Sequence, residues 1–385
     1  MYMPKFITHL PFSLYIHIPW CVRKCPYCDF NSHERKGSLP EELYVSALLQ
    51  ELDSHLALIQ NRPVISIFIG GGTPSLFSAN AIGEILDGVA KRVTMSPDIE
   101  ITLEANPGTI DQANFQGYRT AGVNRLSLGI QSLQDDKLKA LGRIHDRAYA
   151  IRAITIAKEA GFTNFNLDIM FGLPNQTIDD AMHDIQTALA FEPTHFSWYQ
   201  LTIEPNTLFY HQTPVLPVDD MIWDMQLAGQ QLIKESGFRQ YEVSAYAQPQ
   251  KDCRHNRNYW EFGDYLGIGA GAHSKMTLPE NNSALRFSQV RSPKDYLNPV
   301  MRASQNTKTI AENDLIFEFM LNALRLTDGV PAGLFHERTG IALQQIMPRL
   351  NAAKQRGLML DNEERISPSE SGKKFLNDLI AMFLP

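Results

Sequence analysis

Between residues 13 and 201 the chain repeats one unit six times: a short run rich in β-branched and aromatic residues, then a longer segment of helical period. The strand-like runs fall at 13–18, 64–69, 99–104, 124–128, 164–170 and 196–201. The helix-like segments fall at 41–60, 79–92, 111–120, 134–139, 146–160 and 178–190. Such βα alternation requires right-handed crossovers and a parallel sheet. Six units that curl without reaching eight form a partial (βα)6 barrel, whereas a sheet that stays flat is doubly wound. Periodicity does not separate the two, but both place ligands at the C-terminal ends of the strands. The fold class expected is α/β, with a partial (βα)6 barrel over residues 1–205.

Past residue 205 the pattern changes. Pro205, Pro214 and Pro217 interrupt it, followed by a helix expected at 219–236, a β-like stretch at 238–246 and a Gly-rich turn at 267–271. Residues 206–310 are expected to form a mixed linking region. Residues 311–385 read as a C-terminal helical, winged-helix-like domain with a β-like piece at 358–366. Its last 45 residues carry six basic and five acidic side chains, and the whole chain has a net charge of −7. Neither provides the basic footprint of a nucleic-acid binder, so no nucleic-acid partner is expected. The longest apolar runs are far below the roughly 18 to 20 residues that span a bilayer. The first twenty residues, with Pro4, Pro11 and Pro19, lack the apolar core of a signal peptide. A cytoplasmic protein is expected.

Of four cysteines, Cys21, Cys25 and Cys28 fall within eight residues, directly after the first strand. They are too closely spaced and odd in number for a disulfide framework, which leaves metal or redox chemistry. Three thiolates can hold three irons of a [4Fe-4S] cluster and leave the fourth open to an exchangeable ligand. The rival is structural zinc, with His17 or His33 as fourth ligand. Gly70-Gly71-Gly72-Thr73-Pro74 ends the second strand, where glycines permit close backbone approach and exposed N–H groups can cradle an anion. A zinc site gains nothing from such a loop. Glu104 closes the third strand, Gln131 follows the fourth, Asp168 lies in the fifth, and Tyr199 and Gln200 lie in the sixth. Polar residues near several strand ends match the way barrel sites are assembled.

On those residues the chain resembles the radical S-adenosylmethionine (SAM) superfamily, through the CxxxCxxC loop, Tyr27 before its third cysteine, and the GGGTP segment. More narrowly it is similar to the oxygen-independent coproporphyrinogen oxidase family. The marks are Tyr15-Ile16-His17-Ile18-Pro19, Leu128-Gly129-Ile130-Gln131-Ser132, Gly142-Arg143 and Asp168-Ile169-Met170-Phe171-Gly172-Leu173-Pro174. The resemblance implies a radical-SAM-type barrel in which Cys21, Cys25 and Cys28 hold a [4Fe-4S] cluster whose open iron chelates SAM. It also implies that Tyr15, Tyr27, Gly71 and Glu104 contact that SAM. Gly72, Thr73, Gln131, Arg143, Asp168 and Thr202 match positions that hold a second SAM in the oxidase.

Two departures argue against decarboxylation of coproporphyrinogen III. Phe30 stands where the oxidase has a further cysteine, and the cluster motif begins at residue 21, without the oxidase's longer N-terminal extension. The segment His255-Asn256-Arg257-Asn258-Tyr259-Trp260 instead resembles a mark of the heme-chaperone sister group. That resemblance implies haem as cargo, His255 as an axial ligand of its iron, and an apo-cytochrome or other haemoprotein as acceptor. A peripheral membrane contact through the acceptor and a homodimer are further expectations. A histidine can supply an axial nitrogen, Tyr and Trp can cover the apolar macrocycle, and an Arg can pair a propionate. Cys253 and His273 are competing iron ligands. The alternatives are the oxidase itself and a cluster-bearing DNA-binding regulator, the latter disfavoured by the charge count.

Overall fold

The computed structural model describes residues 4–109, 112–303 and 306–385. Six strands pair in parallel and in chain order: β1 (Phe12–Ile18), β2 (Val64–Gly71), β3 (Met95–Ala105), β4 (Arg125–Gln131), β5 (Phe165–Phe171) and β6 (His195–Gln200). The intervening helices are α1 (Glu41–Ile59), α2 (Ala79–Ala90), α3 (Gln112–Thr120), α4 (Asp135–Ala140) and α5 (Arg147–Glu159), with α6 (Ile178–Leu189) preceding β6. All six expected units are present with ends shifted by a few residues; residue 111 of the third expected helix lies outside the described residues. Side chains start several helices: Ser78 caps α2, Asp146 caps α5, and Thr177 with Asp180 forms a capping box on α6.

The strands alternate sharply. Leu14, Ile16, Ile67, Ile69, Leu103, Leu126, Leu128, Leu167, Ile169 and Phe196 belong to one apolar core shared with the helices. The opposite face carries Ser13, Ser66, Thr102, Ser127, Asn166 and Ser197, and the register sets Ser13 beside Ser66 and Ser127 beside Asn166. A buried polar face needs internal partners, and the chain supplies them from Cys253 to His255. The Cys253 N–H donates to the Tyr241 hydroxyl, which in turn meets His195 of β6 at 2.9 Å, while His255 Nδ1 lies 3.0 Å from Ser66 Oγ of β2. In a flat sheet β2 and β6 stand roughly 19 Å apart at the usual strand spacing. The segment thus meets β2 directly and β6 through the Tyr241 side chain, an arrangement that suits a sheet curled around it and favours the partial barrel over the doubly wound sheet.

Among the described residues the sheet has twelve strands, and both edges extend past the six. After α7 (Asp219–Glu235), β7 (Arg239–Glu242) and β8 (Ala245–Ala247) add antiparallel to β6. The short helix α8 (Arg254–Trp260) then enters the barrel. β9 (Asp264–Ile268) pairs parallel with β1, and β10 (His273–Leu278), β11 (Ser283–Ser288) and β12 (Asn306–Thr309) continue antiparallel beyond it. These four strands occupy a region where the sequence shows only a Gly-rich turn. Residues 206–310 therefore complete the barrel sheet instead of forming a separate linker.

The C-terminal part contains α9 (Glu312–Ala323), α10 (Ala332–Thr339) and α11 (Met347–Gln355). Within the β-like piece expected at 358–366, Arg365–Ile366 pairs with Val330–Pro331 and Met359 bridges Pro368 antiparallel. Its core, with Phe319, Phe335 and Leu350, also takes in Phe6, Tyr241 and Phe262. The expected divisions at 205 and 310 thus do not separate the cores. Among the described residues no helix is long and apolar enough to cross a membrane.

Candidate functional site

β1 delivers the three cysteines. After Ile18 the chain forms an arm closed at its base where Trp20–Cys21 pairs with His33–Glu34, and the Cys28 N–H donates to the Cys25 carbonyl at 3.1 Å. Each sulfur has a polar neighbour: Thr73 Oγ1 donates to Cys21 Sγ, Arg143 Nη1 donates to Cys25 Sγ, and Ser32 Oγ meets Cys28 Sγ, all at 3.5 Å. Burial raises the pKa of the Cys21 thiol. Three thiols with donors and a guanidinium around them suit an anionic iron–sulfur cluster, whose sulfur ligands need such outer partners.

Both histidines expected as a fourth zinc ligand turn ring nitrogens to other partners in this arrangement. Both ring nitrogens of His17 are engaged, by the Tyr15 hydroxyl and the Asn31 carbonyl at 2.9 Å each, and His33 Nε2 faces Asn31 Oδ1 and the Arg291 carbonyl. Cys253 is remote from the loop, fully buried against Glu100, with its thiol pushed up to about 12 by burial.

The thiols open into a cavity of about 530 Å³ at the C-terminal strand ends. The sequence places Tyr27, Gly71, Gly72, Thr73, Glu104, Gln131, Arg143, Asp168 and Thr202 at a site, and all of them line this mouth. Glu104 is raised to about 8, by burial and then by the charge of Asp168, and Asp168 is itself raised by burial. Arg143 also donates to the Gly129 carbonyl, and the Tyr199 hydroxyl donates to Gln131 Oε1 at 2.5 Å. The mouth therefore offers two strained-for-charge carboxyls, ready to ionise beside a cation.

The glycine loop works differently from the expected anion cradle. The N–H groups of Gly71, Gly72 and Thr73 are already engaged by Glu104 Oε2, the Ile18 carbonyl and the Trp20 carbonyl. Glycine is required because the loop lies against β1: at Gly71, with φ +116°, a Cβ would sit 2.5 Å from the His17 ring. Its contribution is to bring Thr73 onto Cys21.

A second cavity of about 740 Å³ opens laterally between α8, β9 to β11 and the arm. It shares Asp29, Phe30, Gly71 and Glu104 with the mouth. Tyr15, expected at the mouth, lines this cavity instead. Tyr259 and Trp260 also line it, but His255 does not: its ring is 1% exposed, with Nδ1 on Ser66 and Nε2 on the Tyr259 hydroxyl. The helix turns that imidazole inward, away from this cavity and against Ser66 and the Tyr259 hydroxyl. Arg257, the candidate for a propionate in that segment, pairs with Asp252 and Glu261. Tyr265, Arg286 and Arg291 line the cavity without having been singled out by their sequence. The alternation of His273 and Lys275 facing Ser288 and Arg286 is the signal for Arg286.

A model described as the Radical SAM superfamily matches residues 15–188, and one described as the HemN C-terminal domain matches 310–375. The chain is 49% identical over 386 aligned residues to a protein of Haemophilus influenzae named Heme chaperone HemW, covering 99% of each chain. It is 48% identical to the Escherichia coli protein of the same name, over 97% of this chain and 98% of that one. Among solved structures, the coproporphyrinogen III oxidase HemN of Escherichia coli superposes with a TM-score of 0.81 at 21% identity, over 97% of this chain and 90% of that one. That last likeness is one of fold.

Proposed function

The chain belongs to the radical SAM superfamily and, within it, to the family of its HemW relatives, and from that premise we propose that it binds haem as cargo and passes it to an acceptor haemoprotein such as an apo-cytochrome. The observation that carries this reading is the pairing of the thiol-bearing mouth with a second, larger cavity that shares its wall. A flat apolar macrocycle with ionised propionates needs aromatic walls and a basic rim. This cavity supplies Tyr259, Trp260 and Tyr265 together with Arg286 and Arg291, within the roughly 300–1,000 Å³ usual for ligand pockets.

Cys21, Cys25 and Cys28 are assigned to a [4Fe-4S] cluster, and the mouth to SAM. When bound, the cluster supplies an open iron that chelates the amino and carboxylate groups of SAM. Thr73, Ser32 and Arg143 support the sulfurs, and Glu104 with Asp168 supplies negative charge for the cationic groups of the ligand. Phe30, 65% exposed in the oxidase's additional cysteine position, favours a carrier over a decarboxylase.

Anaerobically reconstituted protein given haem, SAM and coproporphyrinogen III in parallel is expected to show a Soret shift and no decarboxylated product. Product without haem uptake overturns the reading in favour of the oxidase. Alanine at Cys21, Cys25 or Cys28 should remove the cluster's absorption and iron, whereas Cys253→Ala should keep both. Stoichiometric zinc in protein purified without air would refute the cluster assignment.

A further inference from the structure

The histidines around the lateral cavity are not equivalent. His17 and His255 have both ring nitrogens engaged, and His33 holds Asn31 Oδ1 and the Arg291 carbonyl through Nε2. His273, the first residue of β10, lines the cavity, is exposed, and among the described residues has no hydrogen bond to its ring. An iron ligand must offer a neutral, unengaged nitrogen. Desolvation against the cavity wall, and then Arg286 and Arg291, hold the His273 pKa below its ordinary value, which favours the neutral ring.

The cations of the cavity also differ. Lys275 is buried against Asp264 at 3.0 Å, and Arg286 donates to Glu318 at 2.7 Å and to the Tyr265 hydroxyl. Arg291 is exposed and reaches Asn31 Oδ1 at 3.5 Å, with no carboxylate partner among the described residues. The register sets Tyr265 opposite Lys275, Lys275 opposite Arg286 and His273 opposite Ser288, which puts them on one face of the sheet. That face continues through Ser13 of β1 into the barrel interior.

Resting on the haem-cargo reading, we propose that haem is held in this lateral cavity with His273 on its iron and Arg291 at a propionate. The macrocycle lies against Tyr259, Trp260 and Tyr265, and its inner edge meets Phe30, where the cavity joins the mouth. The cargo is thereby held next to the cluster and not inside the barrel, and the iron is reached from the solvent side, where an acceptor's own ligand can replace His273.

The test is optical and electron-paramagnetic titration of the full chain with ferric haem. His273→Ala should move the Soret band and weaken uptake roughly tenfold or more, the scale of losses at depleted metal sites. His273→Cys should give the spectrum of a thiolate-ligated haem, a signature that follows the residue. Arg291→Glu should weaken uptake several-fold and leave the Soret position unchanged. Wild-type spectrum and affinity in His273→Ala would overturn the placement while leaving the haem-cargo reading standing. A wild-type chain that takes up no haem would sink the cargo reading itself.

Discussion

Glu104 joins the two cavities and is the group whose protonation most directly reports on the mouth. An unfolded glutamate loses its proton near ~4.3, whereas in the folded chain Glu104 holds it to about 8, through burial and the nearby Asp168. Between those values the folded chain carries the extra proton, so this group's effect on stability becomes less favourable as pH rises through the window and levels off above about 8. Glu104→Gln should flatten that slope in thermal melts between pH 5 and 8. A cationic ligand placed at this carboxyl reverses the preference and expels the proton. Calorimetry of SAM binding to cluster-loaded protein at pH 7, in two buffers of different ionisation enthalpy, should show close to one proton released, and none in Glu104→Gln. Equal enthalpies in both buffers for the wild type would remove Glu104 from the cation's neighbourhood.

At the scale of elements, α8 shows where sequence stops being informative. The strands were legible because residue types alternate: Ser13, Tyr15 and His17 face inward while Leu14 and Ile16 face the helices. The positions of Glu104 and Gln131 near strand ends, and of Asp168 within its strand, followed from the same pattern. Arg254–Trp260 has seven residues, too few for a helical period to declare itself, and nothing in its composition states which way the histidine points. Its direction is set by Ser66 and Glu100, about 190 and 150 residues earlier in the chain. His255→Ala is therefore expected to cost roughly 1–3 kcal/mol, from the buried partners left unpaired, in urea unfolding, with the haem Soret position retained. A lost Soret band at unchanged stability would restore His255 as an iron ligand. The glycine loop teaches the same lesson, because only the fold reveals that its N–H groups are engaged by β1 and Glu104.

Taken whole, the molecule has two apolar cores that do not follow the chain's apparent divisions. The second core joins Phe6 near the start to Tyr241 and Phe262 in the middle and to Phe319 and Phe335 near the end. The Lys5 N–H donates to the Gly340 carbonyl, and Arg325 pairs with Glu242 at 3.2 Å. Removing residues 311–385 uncovers Phe262, whose burial alone contributes about 1.5–3 kcal/mol. The full chain should melt in one calorimetric transition, and the fragment ending at residue 310 should be insoluble. Two separated transitions in the full chain would show that the C-terminal part folds on its own. No sequence pattern announces this sharing, since a core formed from distant segments leaves no local period.

The pairing of β1 between β2 and β9 also fixes an order of manufacture. Phe12 lies beside Val64 on one side and Asp264 on the other, so the strand that ends in the thiol-bearing arm is fully flanked only after residue 264 has left the ribosome. At synthesis rates of about 5–20 residues per second that interval is roughly 12 to 50 seconds. Throughout it the arm's support from Ala270 and Arg291, which hold Asn31 through their carbonyls, does not yet exist. Under the cluster assignment the arm gains this support only once residue 291 has been made, and slow synthesis prolongs the period in which three unprotected thiols meet the cell.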